Sequence, residues 1–566
     1  MSIKVTRKDN TSKFFGLVVN KTVFFTAIAV IIFSVGFTLV FQEQADHYFG
    51  IAQTYVSEHG GWIYTLAVNL FIVFCLYMAF SKFGSIRIGG RKATPEFSRW
   101  AWFAMLFSAG VGNGLVLFSI ADPVRDFLNP PRLAGEDPVN IAQEAINFSF
   151  LHHGIHGWAI YSVVGLSLAY FTFNRKMPLT LRSAFYPILG NKIYGWMGDL
   201  IDIMAVITTL FGLATTIGFG VGQINQGFTH VFGIPSTLFY QMLIILAVTL
   251  AATLSAFTGL NKGVQFLSKL NIRVASAIFL LVLILGPTTY ILSAYIQNVG
   301  SYLVNFIDMA TWTESLRGTD WQKTRTIMYW GWWISWSPFV GTFIARISKG
   351  RTVKEFILGV LILPSVVTFL WFSAFGGITM RDIINGDTAM IAAVGEDIST
   401  AIYVFFDKFP LAMVLKVLGL ILISSFIITS ADSGALVIDS ITSGGKEKTP
   451  KYQRVIWAAA TGVVAGVLMY GGGLNALQTA VTISGLPFAI MLVVMCFSLF
   501  SGMKEDYSKA ERKEKLIERE DYRKNILQLI NKDREERNLD KINPSDKKGI
   551  QQIDEQKLDD KTEEND

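Results

Sequence analysis

Trp330, Trp332, Trp333 and Trp336 stand within two helical turns, in the string Met328-Tyr-Trp-Gly-Trp-Trp-Ile-Ser-Trp-Ser-Pro338-Phe339. Trp332 and Trp336 are spaced i,i+4 and Trp330 and Trp333 i,i+3, so two neighbouring faces of a helix carry indoles. An aromatic belt at a membrane interface needs one or two such rings. Four of them, followed by a proline that removes a backbone hydrogen bond inside the segment, point instead to a cage. A cage of indoles suits a quaternary ammonium, which donates no hydrogen bonds and is drawn to ring quadrupoles.

Two other places break the rules of a simple spanning helix. In Ser108-Ala-Gly110-Val111-Gly112-Asn113-Gly114 the alternate glycines each cost about 1 kcal/mol of helix propensity relative to alanine. The segment can therefore unwind and turn its carbonyls toward a cation; packing of small residues, Gly110 against Gly114 four apart, is the plainer alternative. The run Phe426-Ile-Ile-Thr429-Ser430-Ala-Asp432-Ser-Gly434 is densely polar within apolar sequence. Its hydroxyls and carbonyls are hard oxygen ligands of the kind sodium takes, and an intramembrane Asp is costly enough to imply a function, although interhelical hydrogen bonding is a competing use. Farther upstream, His152 and His156 have the i,i+4 spacing of a zinc pair, but no third ligand is evident, so no metal beyond sodium is expected. Trp158 and Tyr161 share a face beside them.

These residues must be positioned by membrane helices. The chain of 566 residues is 51% hydrophobic and 16% charged, with a mean hydropathy of +0.43, which excludes a soluble protein of this size. Apolar runs near 22–41, 62–81, 100–121, 147–173, 198–228, 239–259, 271–295, 324–346, 356–375, 411–437, 455–473 and 480–501 make about twelve spans. Lys and Arg collect in alternate loops, among them Arg87, Arg91, Arg175, Arg182, Arg273, Arg351 and Arg454. The positive-inside rule then places both termini in the cytoplasm. Basic loops beside anionic lipid account for the formal charge of +6 without a nucleic-acid partner. Cys75 and Cys496 lie inside apolar runs and read as helix packing. The first run lacks a cleavage site and reads as a retained helix.

The string from Trp332 to Gly341, continued by Phe343-Ile-Ala-Arg-Ile-Ser-Lys-Gly-Arg351, resembles the signature of the betaine/choline/carnitine transporter family. Pro95-Glu-Phe-Ser, the stretch from Trp102 to Gly110, residues 255–271 and Thr429-Ser-Ala-Asp-Ser-Gly434 extend the resemblance across 81–445. It implies an all-α, LeuT-like fold of inverted repeats and a homotrimer. The expected division is a cytoplasmic N-terminus (1–21), two accessory helices (22–99), a first repeat (100–295, spans three to seven), an outside surface segment (296–323), a second repeat (324–501, spans eight to twelve) and a charged cytoplasmic tail (502–566).

Carried over residue by residue, the resemblance implies an aromatic box of Trp158, Tyr161 and Trp333, with Trp330, Trp332 and Trp336 lining the cage or its path. His153 stands where many betaine carriers have a further Trp. Gly114 stands where proton-coupled choline carriers have Asp, which favours sodium. Asn113 is atypical, and its amide can bond a solute oxygen. The family's main sodium site matches the carbonyls of Ser108, Val111 and Phe426 and the hydroxyls of Thr429 and Ser430. A second, weaker sodium site keeps Thr209 and Phe339 but has Leu213 in place of a second Thr.

The expected function is sodium-coupled uptake of glycine betaine or a similar compatible solute across the inner (plasma) membrane. Choline, or a non-quaternary or sulfonium solute such as ectoine, proline or dimethylsulfoniopropionate, remains the alternative, with proton coupling through His153. An ion channel would need a pore motif that is not repeated here. No paired carboxylates or nucleophile–base set accompanies Asp432 and Asp439, so an enzyme is not expected. The tail, helical over 507–537 and acidic at 559–566, reads either as a solvated helix with a disordered end or as a regulatory arm on anionic lipid or a neighbouring subunit. On the second reading, truncation after Met503 is expected to abolish activation by hyperosmolality and leave basal uptake intact, which osmotic upshift of proteoliposomes checks.

Overall fold

A bilayer satisfies no backbone polar group, so a chain this apolar must close its hydrogen bonds within helices. The computed structural model obeys that constraint: it is 83% helical. It describes residues 10–110, 112–133, 135–258, 263–316, 318–446, 448–538 and 540–542, but not the side chains at 107–110, 113, 258 and 263–265. Among the described residues, nine helices are long and apolar enough to cross a membrane. This is a multi-pass, all-α membrane protein, with one small exception: Ser12–Phe14 and Leu17–Val19 pair antiparallel as a hairpin turning on Phe15 and Gly16.

The main helices are α1 (Lys21–Val40), α2 (Gln42–Phe80), α3 (Arg99–Gly110), α4 (Asn113–Leu128), α5 (Pro138–His153), α6 (Ile155–Ala169), α7 (Trp196–Phe232), α8 (Leu238–Thr258), α9 (Gly263–Leu285), α10 (Thr288–Val304), α11 (Thr326–Ile347), α12 (Val353–Ile384), α13 (Ala412–Thr442) and α14 (Lys451–Glu536). Three expected spans are interrupted. The third breaks between Gly110 and Asn113, as its glycines predict. The fourth breaks at Gly154, where a Cβ would lie 2.6 Å from the Phe369 ring, so the backbone passes where a helix with a side chain would clash. The seventh, expected over 271–295, ends instead at Leu285, because Pro287 has no N–H to continue the ladder. The outside segment expected over 296–323 consequently begins inside α10. Helix α14 holds both of the last two expected spans, separated by non-helical backbone at Gly472 and Gly473.

Helix α11 is buried at nearly every position. It touches α6 through Gly341 and Val164, α7 through Gly212 and Ser335, and α14 through Gly331 and Thr482. Its Trp, Ser and Tyr side chains keep its hydropathy below that of the nine apolar helices, and burial by protein rather than lipid is what tolerates them. Pro338 does not break α11, since the Ser337 hydroxyl donates to Ile334 O at 2.7 Å and serves the carbonyl that Pro338 leaves free. Burial separates inner from peripheral elements: 94% of the most apolar window within 138–174 is buried, against 22% within 238–257.

Residues 1–499 form one unit and 500–566 another. The described part of the second is a charged helix to Glu536, whose Asn531 side chain exchanges hydrogen bonds with Ile542. In the first, the hairpin is tied down by Gln453, which accepts from Val18 N and donates to Val18 O. Asn20 caps α1 and donates to Asp199 Oδ1 at 2.9 Å. Asp199 also accepts from Arg182 Nη2, whose Nε donates to the fully buried Asp202 at 2.5 Å. Removing one partner from such a pair strands a buried charge, at about 3 kcal/mol or more. Arg182→Ala is therefore expected to lower the thermal unfolding midpoint of the detergent-purified protein clearly, whereas Lys515→Ala on the exposed tail helix should leave it unchanged.

Candidate functional site

The broken third and fourth spans and the unbroken α11 enclose one partly open cavity of about 480 Å³, its mouth included. Gly112, Gly114 and Leu115 reach it from the start of α4, and His153 from the end of α5. Trp158 and Tyr161 come from α6, Trp332, Trp333 and Trp336 from α11, and Thr368 from α12. The sequence singled out all of these except Leu115 and Thr368. Thr368 is invisible to sequence reading because it is one of three scattered hydroxyls, with Ser365 and Ser373, within the apolar run 356–375.

Three rings form the box. Tyr161 and Trp333 have centroids 4.9 Å apart, Trp158 and Tyr161 meet edge-on at 5.6 Å, and Trp158 and Trp333 are 6.1 Å apart. Three of the four indole N–H groups of α11 are occupied elsewhere: Trp333 donates to His152 O at 2.8 Å, Trp336 to Gly212 O at 3.1 Å and Trp332 to Thr216 Oγ1 at 3.2 Å. Those bonds fix the rings. Trp332 and Trp336, spaced i,i+4, meet edge to face at 6.3 Å. Trp330 lies away from the cavity, stacked on His156 at 5.6 Å and edge-on to His152.

Glycine seats the indoles. A Cβ at Gly114 would lie 2.8 Å from Trp332 Cη2, one at Gly112 3.2 Å from Trp336 Cη2, and one at Gly157 2.5 Å from Trp333 Cδ2 and Cε2. The glycines of span three thus break the helix and also admit a ring, so unwinding and close packing are joint consequences of one sequence. The break opens the N-terminus of α4 at the cavity; Leu115 N donates to Gly112 O at 3.3 Å, and a helix start leaves its other first-turn N–H groups without an intrahelical partner. Gly110 closes α3; the Asn113 side chain is not among the described ones.

His152 and His156 do not converge. The break at Gly154 removes the helical spacing between them, and His152 Nε2 pairs with Thr326 Oγ1 at 3.0 Å while both ring nitrogens of His156 are buried without a hydrogen-bond partner. Of the residues matched to a main sodium site, Phe426 is buried, Thr429 Oγ1 donates to Ser425 O at 2.6 Å and Ser430 is half-buried on α13. Val111 and the Ser108 side chain lie outside the described residues. At the weaker site Thr209 Oγ1 is buried without a partner and Phe339 packs on Trp336 at 5.5 Å. Leu213 presses on Gly434, where a Cβ would lie 2.2 Å from its Cδ1, so an apolar contact between α7 and α13 stands in place of a second hydroxyl.

Sequence reading missed a buried ionic cluster beside the cavity, because it ended span three at 121 while α4 runs on to Leu128. Asp122 Oδ2 accepts from Tyr329 OH at 2.5 Å and lies 3.1 Å from His153 Nε2. Arg325 Nη2 donates to Asp126 Oδ1 at 2.7 Å, and Arg325 Nη1 is 3.9 Å from Asp122 Oδ1. The i,i+4 pair of carboxylates just past the expected end of the span was the available signal.

The family described as BCCT, betaine/carnitine/choline family transporter, matches residues 22–508. Relatives include a glycine betaine transporter of Acinetobacter baylyi, 39% identical over 87% of this chain and 74% of its own. The glycine betaine transporter OpuD of Bacillus subtilis is 38% identical over 88% and 96%. A glycine betaine/proline/choline/ectoine transporter of Vibrio parahaemolyticus is 39% identical over 88% and 90%.

Overpacking a dense core costs about 1–3 kcal/mol. Gly157→Ala is expected to displace the Trp333 indole, seen as a shift in tryptophan emission with greater quencher access. Gly36→Ala, with nothing within 4 Å of its Cβ, should leave the emission as it is.

Proposed function

The chain belongs to the betaine/carnitine/choline family of transporters, and on that premise we propose that it takes up glycine betaine or a similar compatible solute, driven by sodium, through alternating access. The observation that carries this reading is the box of Trp158, Tyr161 and Trp333. The Trp333 N–H is fixed on His152 O, and the ring faces attract a trimethylammonium head, which has no hydrogen bond to give. The start of α4 supplies N–H groups and the positive end of a helix for the solute's carboxylate. Transport is binding and movement, with no covalent step.

In this reading sodium is co-transported cargo, held between α3 and α13 by the carbonyls of Ser108, Val111 and Phe426 and the hydroxyls of Thr429 and Ser430. The Thr429 hydroxyl spends its proton on Ser425 O, which leaves its lone pairs for a cation. Sodium there joins the broken third span to α13 and steadies the half of the cavity that Gly112 and Gly114 form. The same reading takes the inverted-repeat fold, a homotrimer, a plasma-membrane location and cytoplasmic termini from the family. A second reading, favoured by His153 in the cavity wall, is a proton-coupled carrier for choline or a non-quaternary solute.

Trp333→Ala and Trp158→Ala are each expected to abolish saturable uptake of labelled glycine betaine by proteoliposomes, and wild-type uptake to require an inward sodium gradient. Unchanged kinetics in both variants would sink the box assignment. Equal uptake without sodium would sink the coupling and leave the second reading. Thr429→Ala should raise the sodium concentration for half-maximal uptake about tenfold or more.

A further inference from the structure

His153 is the only titratable side chain among the described residues lining the cavity, apart from the Tyr161 phenol. Its ring is held on three sides by Phe118 of α4 at 5.7 Å, Tyr329 of α11 at 5.0 Å and Phe372 of α12 at 4.9 Å, and it is nearly buried. Behind it, away from the cavity, stands Asp122. A carboxylate only accepts, so the 3.1 Å contact places a proton on His153 Nε2 in either charge state.

Two carboxylates, Asp122 and Asp126, face two guanidiniums, Arg125 and Arg325, so it is distance from Asp122 rather than the charge count that favours a charge on His153. The groups facing the pair are Asp122, Arg125 and Asp126 on α4, His152 on α5, Arg325 just before α11 and Tyr329 on it. Arg325 gives its short hydrogen bond to Asp126, reaching Asp122 only at 3.9 Å, and Asp122 Oδ1 has no hydrogen-bond partner. Arg125 is half-buried, and its Nη1 is likewise without one. His152 bonds the neutral Thr326 hydroxyl. A buried carboxylate favours a close cation, and at 3.1 Å His153 stands nearer to Asp122 than Arg325 does at 3.9 Å.

We propose that Asp122 holds an imidazolium at His153 in the cavity wall, and that this charge selects zwitterionic solutes over those carrying only a cationic head. The idea rests on the transport reading above and narrows it to a substrate class. The aromatic box takes the trimethylammonium group common to glycine betaine and choline and so does not separate them. His153 does: its charge attracts a carboxylate and repels a solute with no compensating anion, a repulsive element of the kind that specificity requires. Asp122 acts through His153 and is a positioning residue.

The test is competition of glycine betaine and choline for uptake in proteoliposomes, for the wild type, His153→Gln and Asp122→Asn. Glutamine keeps the donor toward Asp122 and cannot be charged. The wild type is expected to prefer glycine betaine, and His153→Gln to lose about tenfold of that preference, in KM rather than in maximal rate. Asp122→Asn should behave in the same way. Should Asp122→Asn fail to fold, His153→Gln decides. A preference that His153→Gln leaves intact overturns the proposal. If the wild type takes up neither solute, the transport reading fails and this inference with it.

Discussion

Everything at the centre of this protein follows from placing four indoles in one buried helix. An indole is too large to sit between close-packed helices unless the backbone opposite gives way, and here that is done by deleting Cβ atoms. Gly112 and Gly114 face Trp336 and Trp332, Gly157 faces Trp333, and Gly212 accepts the Trp336 N–H. Glycine in a helix weakens it, so the positions that admit the rings are also where α3 gives way to α4. The cavity is the space left between the rings so seated and the backbone that yielded.

The same logic accounts for the polar atoms. Within a bilayer an unmet donor or acceptor has no water to fall back on. The N–H groups of Trp332, Trp333 and Trp336 go to backbone and hydroxyl oxygens, and Ser337 serves the carbonyl that Pro338 abandons. Among the buried atoms left without a hydrogen-bond partner are Asp122 Oδ1, Arg325 Nη1, Trp158 Nε1 and both nitrogens of His156, together with atoms on other helices such as Asp439 Oδ1 and Trp457 Nε1. A buried cluster such as Asp122–Arg325–Asp126 is weak evidence for stability, because desolvation offsets the attraction between its charges.

Legibility in the sequence was uneven for identifiable reasons. The Trp string and the glycine run are local deviations strong enough to read directly, and the cavity is built from them. Span ends were poorly legible where apolar runs continue past a break, as at Gly286 and Pro287, or where a helix carries charges beyond its apolar part, as α4 does with Asp122 and Asp126. Helical spacing holds only where the helix is continuous: the i,i+4 relation of His152 and His156, set aside as a metal pair for want of a third ligand, is removed by the break at Gly154. Nor could spacing place Trp330, because a periodicity argument says which residues share a face and not which face meets the cavity.

By itself the sequence determined the class of molecule, the family and most of the residues that line the cavity, because hydropathy, glycine cost and an unusual aromatic string are properties of residues and their near neighbours. Only the tertiary structure decided which indoles face the cavity, that Leu213 presses on Gly434, and that His153 leans on Asp122 thirty-one positions earlier in the chain. Those facts depend on which helices meet and at what rotation. Residues distant in sequence set that rotation by excluding one another's volume and by pairing buried charges, and no local pattern records it.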